Sequence, residues 1–286
     1  MVLIGAHVST KGGILTSFDR ALAIGAKAVQ VHPTPPQTWR RLEPSQETVE
    51  AFRLRMEETG LDAFFFHAVY LINLATARDD LLASSEASLT HCLELANTLG
   101  VRGVIFHPGS HKGLGFEATL PQMGAAMSAA LAASPGKSLL LIENSAGAGN
   151  NIGSTFAQLR QMLEAVDNER VGVCLDTAHA FTAGYDLSTP DGLRAMTAEL
   201  ESEIGGDRLY AVHANDSKAP LGSNRDRHEN IGDGCIGSDA FGRMLKDPLL
   251  SRAPFLLEVP GLEHDGPDRA NVDRLRQLAG LDPARS

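Results

Sequence analysis

Cysteine is scarce. Cys92, Cys174 and Cys235 are the only three in 286 residues. An odd set at unrelated spacings makes no disulfide framework, and it suits a reducing compartment, so a cytoplasmic protein is expected. Aromatic residues are 5% of the chain, with a single tryptophan. No apolar run reaches the roughly 18 residues of a membrane span. The opening residues, MVLIGAHVST, carry neither a basic segment nor a small-residue cleavage site, so no secretory signal is expected. Positive charge is also short: 25 lysines and arginines face 35 aspartates and glutamates, a formal charge of -10. By itself that balance opposes nucleic-acid binding, which needs phosphate neutralisation. It opposes it less if acidic side chains hold cations. No GxGxxG turn follows the first apolar run and there is no P-loop, so the usual nucleotide-binding open sheets lose support.

What is present is an ordinary globular composition, 43% hydrophobic and 21% charged. Eight short apolar runs alternate with helix-like stretches. The first, VLIGAHV, holds His7 near its end. The others are 27–31, 62–66, 102–106, 138–142, 171–175, 208–212 and 254–257. Helical periodicity marks 14–24, 45–59, 75–99, 120–133, 154–165, 193–204, 240–245 and 270–278. Gly100 is placed to stop the third of these helices. The loop PTPPQTWRR after the second strand holds too many prolines for a helix or a central strand. Alternation of this kind implies parallel pairing with right-handed crossovers. Eight units in one chain predict an α/β fold, a (β/α)8 TIM barrel forming a single domain over 1–286. A doubly wound open sheet competes, because closure is not visible in sequence.

The eight runs share one property. They lead to His7, His32, His67, His107, Glu143, Asp176, His213 and Glu258, all able to bind metal. Taken alone, Asp176 reads as the cap of the helix that follows it. Eight such endings in eight strands point instead to a polar ring at the C-terminal mouth of a barrel, where active sites sit. His179, Asp226 and His228 add three donors from loops. The Asp-x-His spacing puts Asp226 and His228 on one side of an extended segment. So many nitrogen and oxygen donors exceed the needs of one ion. Three sites sharing a bridging carboxylate would absorb them, and a metal cluster suits in-line displacement at phosphorus. A single metal would suit a sugar isomerase or epimerase on the same barrel.

Several phrases carry a family resemblance: IGAHVSTKGG, HAVYLINLA, FHPGSH, LIENSAGAGNNIG, VGVCLDTAHAFTAGYD, HANDSKAPLGSNRDRHENIGDGCIG and LLEVP. Through them nearly the whole chain resembles endonuclease IV, the zinc-dependent apurinic/apyrimidinic endonuclease family. The resemblance implies three Zn2+ ions, with Mn2+ admissible at one position. His67 and His107 would hold the first and Glu143 would bridge it to the second. Asp176, His213 and Glu258 would complete the second, and His179, Asp226 and His228 the third. His32 falls outside that set, and His7 lies beside it as a support or phosphate contact. The implied reaction is hydrolysis of the phosphodiester 5′ to an abasic site in duplex DNA. It leaves a 3′-hydroxyl and a 5′-deoxyribose phosphate, and the same centre would clean blocked 3′ ends. Glu143 and Glu258 would orient or deprotonate the attacking water.

The resemblance further implies that Tyr70 and Leu71 wedge into the gap at the lesion. An abasic nucleotide flips readily, because no base pair or stack is lost there. The loop after the second strand departs from the family. Where the family presents an arginine, this chain has Gln37, with Arg40 and Arg41 just beyond. Gln37 cannot ion-pair with phosphate, so Arg40 or Arg41 is expected to compensate. Lys11, Lys112, Lys218, Arg225 and Arg227 all fall in loops of the expected top face, leaving the acidic surplus to the outer helices. A monomer is expected.

Overall fold

Closure of the sheet decides between barrel and open sheet. The computed structural model describes residues 2–282. Its strands are β1 (Ile4–His7), β2 (Ala28–Val31), β3 (Ala63–His67), β4 (Gly103–Phe106), β5 (Leu139–Glu143), β6 (Val171–Asp176), β7 (Leu209–His213), β8 (Asp216–Ser217), β9 (His228–Glu229) and β10 (Phe255–Leu257). Eight of them pair in parallel in the closed order β1-β10-β7-β6-β5-β4-β3-β2. The remaining two, β8 and β9, form a small antiparallel hairpin above the barrel mouth. The helices are α1 (Thr16–Ile24), α2 (Gln46–Thr59), α3 (Asp79–Leu99), α4 (Phe116–Ala133), α5 (Phe156–Val166), α6 (Thr177–Ala183), α7 (Pro190–Glu203), α8 (Ser238–Met244) and α9 (Arg269–Leu278). None is long and apolar enough to cross a membrane.

Local chemistry sets most helix ends. Ser45, Thr155, Thr189 and Asp268 each accept a backbone N–H in the first turn of α2, α5, α7 and α9. Gly100 ends α3 in the left-handed conformation, as its position predicts. Helix bounds move from the periodicity by up to four residues, α3 starting at 79 and not 75, and two further elements have a local reason. Helix α4 begins four residues before 120, with Pro121 inside its second turn. There a proline removes a single backbone bond near the helix start, and the helix survives. Helix α6 has no counterpart in the periodicity, being one short buried segment without an amphipathic repeat.

Side chains alternate across a strand, and that parity builds the site. Ala28, Ala63, Phe65, Ile105, Leu141, Cys174, Ala211 and Leu256 form one buried cluster that fills the barrel. Residues of the opposite parity, including Phe64, Phe66, Val104, Phe106, Leu140, Ile142, Val173 and Leu175, join the larger core under the helices. Two residues beyond each inner-layer side chain lies the next inward one. From Phe65, Ile105, Leu141, Cys174, Ala211 and Leu256 that count reaches His67, His107, Glu143, Asp176, His213 and Glu258. The polar ring is therefore the top layer of the barrel interior, resting on an apolar floor. Cys174 belongs to that floor: burial pushes its thiol up to about 12, so it stays protonated. Cys235 is exposed.

Candidate metal centre

The predicted donors converge in three overlapping groups. His67, His107 and Glu143 form one; Glu143, Asp176, His213 and Glu258 the second; Asp176, His179 and His228 the third. Within each group the ligand atoms lie within 4.8 Å of one another. Glu143 belongs to two groups, with Oε2 at 3.0 Å from His67 Nε2 and Oε1 at 3.0 Å from His213 Nδ1. Asp176 is shared as well. Its Oδ1 accepts the backbone N–H of His179 at 2.8 Å and caps α6, while Oδ2 faces His228 Nε2 at 3.6 Å. Cap and candidate ligand are thus two ends of one carboxylate.

Asp226 stands at the outer edge of the third group. Its Oδ2 is 3.2 Å from His179 Nε2 and its Oδ1 is 3.3 Å from His228 Nε2. The Asp-x-His spacing does direct both side chains to one side. The loop that carries them is pinned at two points: Asn224 donates from its side chain to Ala146 O at 2.9 Å, and from its backbone to Thr182 O at 2.9 Å. The far end of the hairpin is organised by Asp216, a residue the motifs did not single out. This buried carboxylate accepts backbone N–H groups of Ser217, Gly232, Gly234, Ile236 and Gly237.

Each of three rings is oriented by its second nitrogen. His67 Nδ1 bonds Ala68 O at 2.8 Å, His179 Nδ1 bonds Asn144 O at 2.9 Å, and His228 Nδ1 bonds Glu258 O at 3.3 Å. A carbonyl only accepts, so these nitrogens carry a proton, and Nε2 is the atom each ring can offer to a metal. Two observations test the fit to metal. The buried His228 Nε2 has no hydrogen-bond partner, although two carboxylates lie within 3.6 Å. The donor set, imidazole nitrogen and carboxylate oxygen, is that of borderline divalent ions such as zinc.

Charge is distributed accordingly. Burial opposes ionisation of Glu143, yet His107, His213 and His179 hold its carboxyl well below the usual range. Burial also opposes charge on Glu258, which His213 and a hydrogen bond from His7 keep well below that range. Burial disfavours His213 and His179 as cations, but Cys174, Glu258 and Glu143 raise His213, and Asp176, Asp226 and Glu143 raise His179, both well above the ordinary value. Burial lowers His107 and His7, and takes His32 to about 2. Asp226 is held at about 2: the neighbouring His179 and His228 outweigh its burial.

The remaining predicted residues lie around this mouth. His7 Nδ1 touches Glu258 Oε1 at 3.0 Å, and His32 packs between His7 and His67, outside the three groups. Tyr70 is 55% exposed, its ring 5.6 Å from that of His67, whereas Leu71 is half-buried against the core. The two halves of the expected wedge are therefore unequal. Tyr70 N donates to Pro36 O at 3.0 Å, which joins its loop to the proline-rich one. Gln37 and Arg40 are exposed; Lys11, Arg40, Arg41 and His32 line a cavity of about 820 Å³ between the first two loops. Arg225 is exposed beside Asp226. Sequence reasoning passed over Gln30, which lies among His7, His213 and Glu258. Its even spacing from Ala28 marked it as inward-facing, but a glutamine in an apolar run gives no chemical signal.

A closed parallel barrel with His/Asp/Glu clusters at its mouth defines a class, and comparison with known proteins agrees. The profile of the xylose isomerase-like TIM barrel family matches residues 18–278. The chain is 38% identical over 286 residues to "Probable endonuclease 4" of Chloroflexus aggregans, covering 99% of this chain and 100% of that one. It superposes on the crystal structure of endonuclease IV from Thermus thermophilus with a TM-score of 0.86 at 35% identity, over 97% of this chain and 99% of that one. A D-tagatose 3-epimerase-like protein shares the fold alone, at 16% identity and a TM-score of 0.69 over 97% of this chain and 96% of that one. The chain belongs to the endonuclease IV family.

Proposed function

We propose that this protein hydrolyses the phosphodiester 5′ to abasic sites in duplex DNA, and trims blocked 3′ ends, with three zinc ions held at the barrel mouth. One observation carries the reading: in a chain of this family, three overlapping donor groups are joined through Glu143 and Asp176, both fully buried. His67, His107 and Glu143 hold the first ion. Glu143, Asp176, His213 and Glu258 hold the second. His179, His228 and Asp226 hold the third, with Asp176 beside them. Bound there, divalent ions supply charge stabilisation at phosphorus and make hydroxide available near neutrality.

The side chains supply the rest. Glu258 is half-buried at the rim, where it can orient the attacking water and take its proton. Glu143, fully buried in the same layer, fixes the relative position of the first two groups. Exposed Tyr70 fills the space left by the missing base, while Lys11, Arg40, Arg41 and Arg225 meet phosphates. These cations face the DNA although the chain is acidic as a whole.

The test is metal content of the purified protein together with incision of an abasic duplex, with and without a chelator. About three zinc ions per chain and chelator-sensitive incision are expected. One divalent ion without incision would favour a sugar isomerase or epimerase. Glu258→Gln should abolish incision yet keep abasic-duplex binding, and retained incision would overturn its role.

A further inference from the structure

Gln30 has no counterpart among the predicted ligands, yet it is fully buried at the same level as they are. It pairs with His7 in the register between β1 and β2, so its side chain enters the top layer of the barrel. The orientation of its amide follows from its partners. One end lies 2.5 Å from Glu258 Oε1 and 2.9 Å from His7 Nδ1. A carboxylate oxygen only accepts, so this end is the NH2 group, and it donates. The other end is then the carbonyl oxygen, 2.7 Å from His213 Nε2. A carbonyl only accepts, so His213 carries its proton on Nε2. That leaves Nδ1, which faces Glu143 Oε1 at 3.0 Å, Glu258 Oε2 at 3.4 Å and Asp176 Oδ2 at 3.8 Å, as the ring nitrogen available to a metal.

Other rings of the centre are held differently. His67, His179 and His228 are oriented by backbone carbonyls, which no substitution removes. Among these four histidines, His213 alone relies on a side chain. We infer that Gln30 is a positioning residue with two separable tasks. Its carbonyl fixes the tautomer of His213, so that Nδ1 is the donor atom of the second group. Its amide N–H holds the Glu258 carboxylate at one angle, so that Oε2 stays directed toward His213 and the shared centre. The inference rests on the reading of that centre as a metal site.

Gln30→Glu and Gln30→Met separate the tasks. Both conserve the size of the side chain. Gln30→Glu keeps an acceptor toward His213 but sets an oxygen against Glu258 Oε1. It should keep the metal content of the unsubstituted protein and lower kcat on an abasic duplex about 10- to 100-fold, with KM little changed. Gln30→Met removes both contacts and should weaken one metal position about 10- to 100-fold. That loss is read as lower metal content after dialysis and as an altered absorption spectrum of the cobalt(II)-loaded protein. Thermal melting and binding of uncleaved abasic duplex identify any variant that fails to fold. If Gln30→Met is lost in this way, Gln30→Glu still decides on kcat. Metal content, cobalt spectrum and kcat all unchanged in the folded variants would overturn the inference. Should the unsubstituted protein bind metal but not cut abasic DNA, the proposed reaction fails. Loss of metal from Gln30→Met would still support the role of the amide.

Discussion

His179 belongs to the third group, and three of its atoms are engaged in different contacts. Its backbone N–H is capped by Asp176, its Nδ1 donates to Asn144 O, and its Nε2 faces Asp226. The first two contacts orient the third. His179→Ala removes the donor but leaves the cap, because the backbone N–H remains. The expected outcome is a loss of about one zinc ion per chain by elemental analysis, the other two being retained. Loss of all three would mean that the groups load as a unit. Gln30 shows the same logic from the other side: a neutral amide works because one end only donates and the other only accepts.

At the scale of elements, loops are what aim Asp226 and His228. Gly147 adopts φ +76°, and a Cβ there would lie 2.6 Å from the Nδ2 of Asn224. Gly147→Ala should therefore cost about 1–2 kcal/mol in backbone strain. It should also displace the loop that Asn224 pins, weakening the third metal position while sparing the first. Metal titration followed by differential melting would show this. Helix α9 offers a pH test at a residue outside the three donor groups. Burial works against the charge on its cap Asp268, but backbone N–H groups of Leu262 and Asn271 outweigh it and lower its pKa. A carboxylate whose folded pKa is depressed stabilises above the unfolded value, and that contribution fades as pH falls through the folded one. Asp268→Ala should lower stability by about 1 kcal/mol at neutral pH. In melts taken across the range from neutral to strongly acid pH, the gap between variant and parent should narrow only at the acid end. A constant gap would assign the effect to packing.

For the molecule as a whole, charge is the discriminating property. A formal charge of -10 coexists with exposed Lys11, Arg40, Arg41, Lys112, Arg225 and Arg227 in mouth loops. If that face reads phosphates, log Kd for abasic duplex should rise linearly with log salt concentration, with a slope of about 0.9 per phosphate neutralised. A flat response would contradict the proposed DNA face. Chelation should also lower the melting temperature, since the top layer gathers carboxylates in a buried space and metal binding is linked to folding.

Much of this architecture was legible because it repeats at short range. Eight apolar runs separated by helical periods specify strands and helices from neighbouring residues. Their polar ends mark a mouth, since a carboxylate or imidazole ending a buried strand stands where core gives way to solvent. Motifs such as HANDSKAPLGSNRDRHEN identified the family without any geometry. Chain closure was not legible, because the pairing of β1 with β10 joins residues some 250 positions apart. Nor was the dual role of Asp176, which depends on its two oxygens facing different neighbours. Gln30 stayed hidden for the same reason. Its meaning lies in three partners from β1, β7 and the end of β10, and only the register of a closed barrel brings them within 3 Å.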